Sequence, residues 1–259
     1  MSEFEPLYSV AGFLVGMLVG LTGVGGGSLM TPILVLMFGF HPATAVGTDL
    51  LYASVTKSVG TAVHGSRKTV DWRIVARLAS GSIPAAILTL FILSRVGGIE
   101  ENAVRILNPL LGATLLATSI AILFQPRIVA WAAPKLENVP EHKIARRTVM
   151  LGAILGILVS TTSVGAGALG ITALLVLYHK LPIARIAGSD IAHAVPLTLI
   201  AGIGHWFIGA VDFGLMFSLL AGSIPGIIVG SLLGSRAPDA RLRPILAVTL
   251  LVVGIRLLF

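Results

Sequence analysis

Apolar residues fall in long unbroken blocks along this chain, separated by short polar stretches. The blocks cover residues 7–22, 29–39, 43–65, 73–94 and 103–124. A polar stretch from Gln125 to Arg147 follows, with three prolines and several charges. Five further blocks cover 146–161, 169–179, 183–208, 213–235 and 241–258. A helix that crosses a bilayer needs ~20 apolar residues, and most blocks match that length. Barrel strands would instead alternate apolar and polar positions over ~10 residues, a pattern absent here. The pattern therefore predicts an all-α polytopic membrane protein. In each half, glycines or small polar residues interrupt the first apolar stretch. The piece after the break, 29–39 or 169–179, is too short to span alone.

The halves repeat one another. Thr22-Gly23-Val24-Gly25-Gly26-Gly27 matches Thr162-Ser163-Val164-Gly165-Ala166-Gly167 at an offset of 140. One inserted residue shifts the offset to 141. Thr48-Asp49 then matches Ser189-Asp190, His64 matches His205, and Gly81-Ser82-Ile83-Pro84 matches Gly222-Ser223-Ile224-Pro225. The expected division is a first transmembrane repeat at 1–124, a linker at 125–145 and a second repeat at 146–259. Each repeat reads as an interrupted helical hairpin followed by three spanning helices. Small residues recur every fourth position at Gly12, Gly16 and Gly20, at Gly152, Gly156 and Ser160, and from Gly222 to Gly234. Such stripes let helix backbones approach closely in lipid. Pro84 and Pro225 predict kinks at matched places.

Charge orients the repeats. If each interrupted block folds back on itself, 14 of the 18 basic residues share one side, leaving Arg95, Arg105 and Arg256 on the other and Lys57 within the membrane. Cytoplasmic loops carry the excess of Lys and Arg. The linker is then cytoplasmic, both termini are extracytoplasmic, and the repeats are inverted. Only 11% of residues are charged and 56% are hydrophobic, against ~25% charged in soluble domains. Mean hydropathy is +0.98. The net charge of +7 follows from the basic loops and does not point to nucleic acid. The absence of cysteine excludes disulfides, thiolate metal sites and a cysteine nucleophile. No catalytic motif, cofactor or metal site is legible.

Two features carry chemistry. The first is the pair of breaks. Non-helical backbone at membrane depth is tolerated where it is buried in protein or lines a cavity. The helix after each break points free N–H groups and its positive dipole end into it, which suits an anion. Gly25, Gly26, Gly27 and Ser28 in one half, and Ser163, Gly165, Ala166 and Gly167 in the other, are the candidate substrate-binding residues. The competing reading is that the glycines only permit a tight turn. The second feature is Lys57, since an intramembrane charge is costly and usually functional. Ser54, Lys57, Ser58, Thr61 and His64 share a helix face and predict a polar path. Lys57 either contacts a substrate anion or pairs with Asp49 or Asp190. Asp49 and Asp190 read first as helix caps, with proton or cation coupling as alternatives. His193, one turn after Asp190, could complete a proton relay. His64 and His205 are interfacial or gating candidates. Asp71 and Asp212 are expected to cap the following spans, and Trp72, Trp131 and Trp206 to sit at the interfaces.

The run Gly20-Leu-Thr-Gly-Val-Gly-Gly-Gly-Ser28, the Pro32 stretch, Pro42-Ala-Thr-Ala-Val-Gly-Thr-Asp49 and the weaker copy at Thr162–Gly167 resemble the sulfite exporter TauE/SafE family of membrane transporters. The likeness extends over essentially the whole chain. It implies secondary transport, driven by an ion gradient, of small sulfur-containing anions such as sulfite, sulfoacetate or other organosulfonates across the bacterial inner membrane. The second copy departs from the pattern, with Ala166 for Gly26 and Thr172 for Pro32. A passive anion channel or a carrier of another small organic anion stays open. An intramembrane aspartyl protease built on Asp49 and Asp190 lacks the sequence context of such enzymes. Expected partners are a small anionic substrate and the lipid bilayer, with a homo-oligomer left open.

Overall fold

The computed structural model describes residues 5–22, 27–66, 68–96, 100–234 and 239–258, and side chains outside 19–28, 63–64, 66–67, 96–104 and 231–243. The described residues form α1 (Pro6–Thr22), α2 (Gly27–Leu36), α3 (Pro42–Ser66), α4 (Trp72–Val96), α5 (Glu100–Ala132), α6 (Glu141–Thr162), α7 (Ala168–Leu177), α8 (Ile183–Phe207), α9 (Phe213–Gly234) and α10 (Asp239–Leu258). A short 3-10 turn, Ala133–Leu136, follows α5, and no strand occurs among the described residues. Five helices, α4, α5, α6, α8 and α9, are long and apolar enough to cross a membrane. Helices α2 and α7 have 10 residues each. At 1.5 Å per residue that is about half the ~30 Å hydrocarbon core. They are the half-length pieces that the interrupted blocks predicted.

Helix α5 continues beyond the apolar block at 103–124, through Gln125 and Arg127 to Ala132. Polar residues end the stretch that suits lipid, but they do not end a helix. For the same reason α6 begins at Glu141, ahead of its apolar block.

The halves interlock reciprocally. Helix α1 packs along α9, and α6 packs along α4. Gly12 and Gly16 face the backbone of Leu219 and Ser223. Their repeat mates Gly152 and Gly156 face Leu78 and Ser82. A Cβ on Gly16 would stand 2.5 Å from the Ser223 carbonyl oxygen, so these crossings are as close as backbones allow. The repeat mates α3 and α8 pack against each other and run antiparallel: Gly47 meets His205 at one end, and Gly60 meets Ile191 at the other. α5 and α10 also run antiparallel, with Gly112 against Gly254 and the Ser119 hydroxyl donating to the Ala247 carbonyl at 2.7 Å.

Asp71 and Asp212 cap α4 and α9. Their Oδ1 atoms accept from the N–H groups of Arg73 at 3.0 Å and Leu215 at 3.1 Å. The cap residues also tie the halves together. The Asp71 N–H donates to Ser189 Oγ at 2.8 Å, and the Asp212 N–H donates to Thr48 Oγ1 at 3.0 Å. One repeat's donor thus meets the other repeat's acceptor, twice.

Candidate functional site

The break between α6 and α7 is buried and lies where α6 ends in the left-handed region. Ser163 has φ 57°, Gly165 φ 121° and Gly167 φ 129°. Backbone of this kind favours glycine, which accounts for the residue types here. In α7 the Gly170 N–H reaches the Gly165 carbonyl at 3.2 Å and the Ile171 N–H reaches Gly167 at 2.7 Å. The N–H groups from Ala166 to Leu169 find no backbone acceptor among the described residues. They are the free donors that a helix start leaves over, and Ala166, Gly167 and Ala168 are buried. The matching break in the first half holds Gly25 and Gly26, which lie outside the described residues, as do the environments of Gly27 and Ser28.

Against this break stands the α3·α8 pair, which carries most of the buried ionisable groups. Asp49, Lys57, Asp190, His193 and His205 are all buried. Asp49 sits two turns inside α3 and Asp190 two turns inside α8, so neither caps its helix as the sequence reading favoured. The Thr31 hydroxyl on α2 donates to Asp49 Oδ2 at 2.5 Å. Ser163, at the break, lies beside the same carboxylate. The break of one half therefore adjoins the aspartate of the other. Asp190 has no such hydroxyl. Its Oδ1 abuts Gly170 of α7 and is buried without a partner among the described residues.

Lys57 lies within electrostatic reach of Asp190 and Asp49. It makes no ion pair with either, for the ion pair among the described residues is Arg77–Glu141. Of the polar face predicted on α3, the Ser54 and Ser58 hydroxyls donate to carbonyls of their own helix, those of Leu51 and Ser54, each at 2.7 Å. Thr61 Oγ1 is buried and unpartnered. The side chain of His64 lies outside the described residues. His205 is buried rather than interfacial. Its Nε2 donates to the Ser160 carbonyl at 2.8 Å, tying α8 to α6.

Reasoning from the sequence missed four members of this cluster. Ser82 Oγ of α4 lies 2.8 Å from His193 Nε2, and His193 Nδ1 has no partner. The repeat-related arrangement is Tyr52 of α3 beside Ser223 of α9. Both pairs sit at the offset of 141, so aligning the halves to the end would have found them. Thr31 is the fourth, and it has no hydroxyl mate at Ile171.

An unpartnered buried polar group costs ~1–3 kcal/mol, and a buried unpaired charge costs more. A concentration of buried polar and ionisable groups near the free N–H groups of a broken helix makes this polar cluster the candidate site within an apolar bundle. Lys57 is its cation, and the helix start supplies further positive potential. Among the described residues no group of three or more His, Asp or Glu could hold a metal ion.

Residues 8–257 match the family model described as Sulfite exporter TauE/SafE. The chain belongs to this family. TauE/SafE relatives include the probable membrane transporter protein YjnA of Bacillus subtilis, 41% identical over 95% of this chain and 97% of that protein. The probable membrane transporter protein YdhB of the same organism is 28% identical over 95% and 97%. A probable membrane transporter protein of Methanocaldococcus jannaschii is 27% identical over 86% and 81%. No solved structure matches the chain. This TauE/SafE protein is thus a multi-pass membrane transporter.

Proposed function

We propose that the protein is a secondary carrier of small sulfur oxyanions, sulfite or an organosulfonate such as sulfoacetate, in the bacterial cytoplasmic membrane. The observation that carries this reading is Lys57, which is buried within electrostatic reach of Asp190 and Asp49 and makes no ion pair among the described residues. A cation kept unpaired at such cost is accounted for by an anion that completes its charge. Substrate oxygens are assigned to the N–H groups at Gly165–Gly167 and to the corresponding Gly25–Ser28 segment, with Lys57 adding charge. The family description names sulfite, which supports the sulfur oxyanion over a carboxylate.

In this reading the repeats are inverted across the membrane, with the 125–145 linker cytoplasmic and both termini outside. The antiparallel run of the repeat mates α3 and α8 supports that. Rocking of one half against the other then exposes the candidate site to each side in turn. Asp190 and His193 are assigned to ion coupling: each keeps a buried atom without a partner among the described residues, and Asp190, unlike Asp49, takes no hydroxyl hydrogen bond there.

The test is flux in proteoliposomes with sulfite, sulfate, thiosulfate, sulfoacetate, taurine and an equal-sized carboxylate, each with and without a pH gradient. Expected are selective flux of one sulfur anion, saturation, counterflow, and a response to the gradient. Non-saturating flux without counterflow would make the protein a channel, and transport of the carboxylate alone would overturn the substrate class.

A further inference from the structure

A groove of about 420 Å³ opens between α5, α6 and α7. Its walls are apolar, with Ile128 and Ala132 from α5, Leu151 from α6, and Leu169 and Val176 from α7. Thr172 also lines it, and its hydroxyl accepts a hydrogen bond from the Gln125 side chain at 3.2 Å. Among the described residues, Arg147 is the one charged lining residue. Arg147 is exposed and makes no ion pair or hydrogen bond among the described residues.

The groove straddles a boundary. On one side of it, α5 exposes Leu123 and Phe124, and α6 exposes Met150 and Ile154, the apolar belt that faces lipid. On the other side, the Arg127 guanidinium lies 5.6 Å from the Phe124 ring centroid, and the Lys135 ammonium stands 3.1 Å above the exposed Trp131 ring. Lys143 and Arg146 are exposed at the same end of α6. Aromatic and basic residues of this kind mark headgroup depth.

We infer that this groove is a binding site for an anionic phospholipid, one acyl chain lying between α5 and α7 and the phosphate resting on Arg147. The physical argument separates the two ends of the lipid. An acyl chain that leaves the bilayer for an apolar groove gains little, because lipid tails are as apolar as leucine. Selectivity must then come from the headgroup, and basic pockets between membrane helices supply it. The occupant also touches Leu169, in the first turn of α7. If the proposed function holds, a lipid seated there braces the half-helix whose free N–H groups are assigned to substrate.

The experiment uses full-length protein with Trp72 and Trp206 replaced by phenylalanine, so that Trp131, on the same helix stretch as Ile128 and Ala132, reports alone. Quenching is measured in mixed bilayers of brominated phosphatidylglycerol and phosphatidylcholine, and then with the bromine on the other lipid. Phosphatidylglycerol is expected to be preferred about fivefold. Arg147→Ala is expected to bring the ratio to about one, Arg147→Lys to keep part of it, and Arg95→Ala, remote from the groove, to leave it unchanged. Equal quenching by both lipids in the parent would assign the groove to bulk lipid and overturn the inference. So would a preference that survives Arg147→Ala in folded protein. Protection of Trp131 from both lipids, together with cross-linked dimers, would assign the groove to a second copy and overturn it as well.

Discussion

In the proposed function, Lys57 and Asp190 are the single side chains on which binding and coupling turn. Lys57→Ala removes the buried cation of the proposed site. The expected outcome is loss of sulfur-anion binding in a calorimetric titration of protein that still elutes as a folded species; unchanged affinity would remove Lys57 from the site. The aspartates are expected to separate. Oδ1 of each aspartate is buried without a partner among the described residues, but Asp49 takes a hydrogen bond from Thr31 on Oδ2. Asp190→Asn is expected to preserve counterflow and abolish the response to a pH gradient, with Asp49→Asn keeping the response. The reverse pattern would move coupling to the first half. Lys57 and both aspartates were legible in the sequence because charges stand out against an apolar background. The Thr31–Asp49 contact was not. It joins residues 18 positions apart across a helical hairpin, and no local spacing announces which hydroxyl of a hairpin will turn inward. The capping reading of the aspartates failed for a different reason. The apolar blocks begin at 43 and 183, within a residue of the starts of α3 at Pro42 and α8 at Ile183, so both aspartates already lay two turns inside their helices, and only the hydroxyl residue before each suggested a cap.

Packing between elements rests on glycine contacts, and these also hold site residues in place. A Cβ at Gly156 would stand 2.9 Å from Ser82 Cα, and Ser82 is the partner of His193. Gly156→Ala should therefore push α4 off α6, at a cost of ~1–3 kcal/mol for overpacking, and weaken the Ser82–His193 contact. The readout is a lower unfolding temperature in detergent together with reduced gradient-driven flux. Gly65→Ala is the control, since a Cβ there meets nothing within 4 Å, and it is expected to be silent. The small-residue stripes were readable from their four-residue spacing. Which helices they join was not, because the stripe on α1 could have faced any neighbour. The pairing of α1 with α9 became visible only once the second half was folded against the first.

For the molecule as a whole, the two-fold pattern of contacts sets the next expectation. The natural sequence has no cysteine, so single cysteines report topology without a background. Val139→Cys, in the linker, is expected to react with a membrane-impermeant maleimide in inside-out vesicles only. Ile208→Cys, after α8, is expected to react in right-side-out vesicles only. Labelling of both from one side would reject the inverted arrangement. The matched joints have an energetic consequence too. Thr48 on Asp212 and Ser189 on Asp71 are the same connection made twice, by a hydroxyl and a backbone N–H in each case. In a carrier that rocks as proposed, what is loosened in one half is restored in its twin, and most of the free energy cancels. The resting bias between the two orientations then depends on the positions where the repeats differ, Lys57 against Thr198 and Tyr52 against His193. A single unmatched hydrogen bond, worth ~1 kcal/mol, would shift the two populations by about fivefold. Such a machine lives close to balance, and a small, local asymmetry in its core chooses the side on which it waits.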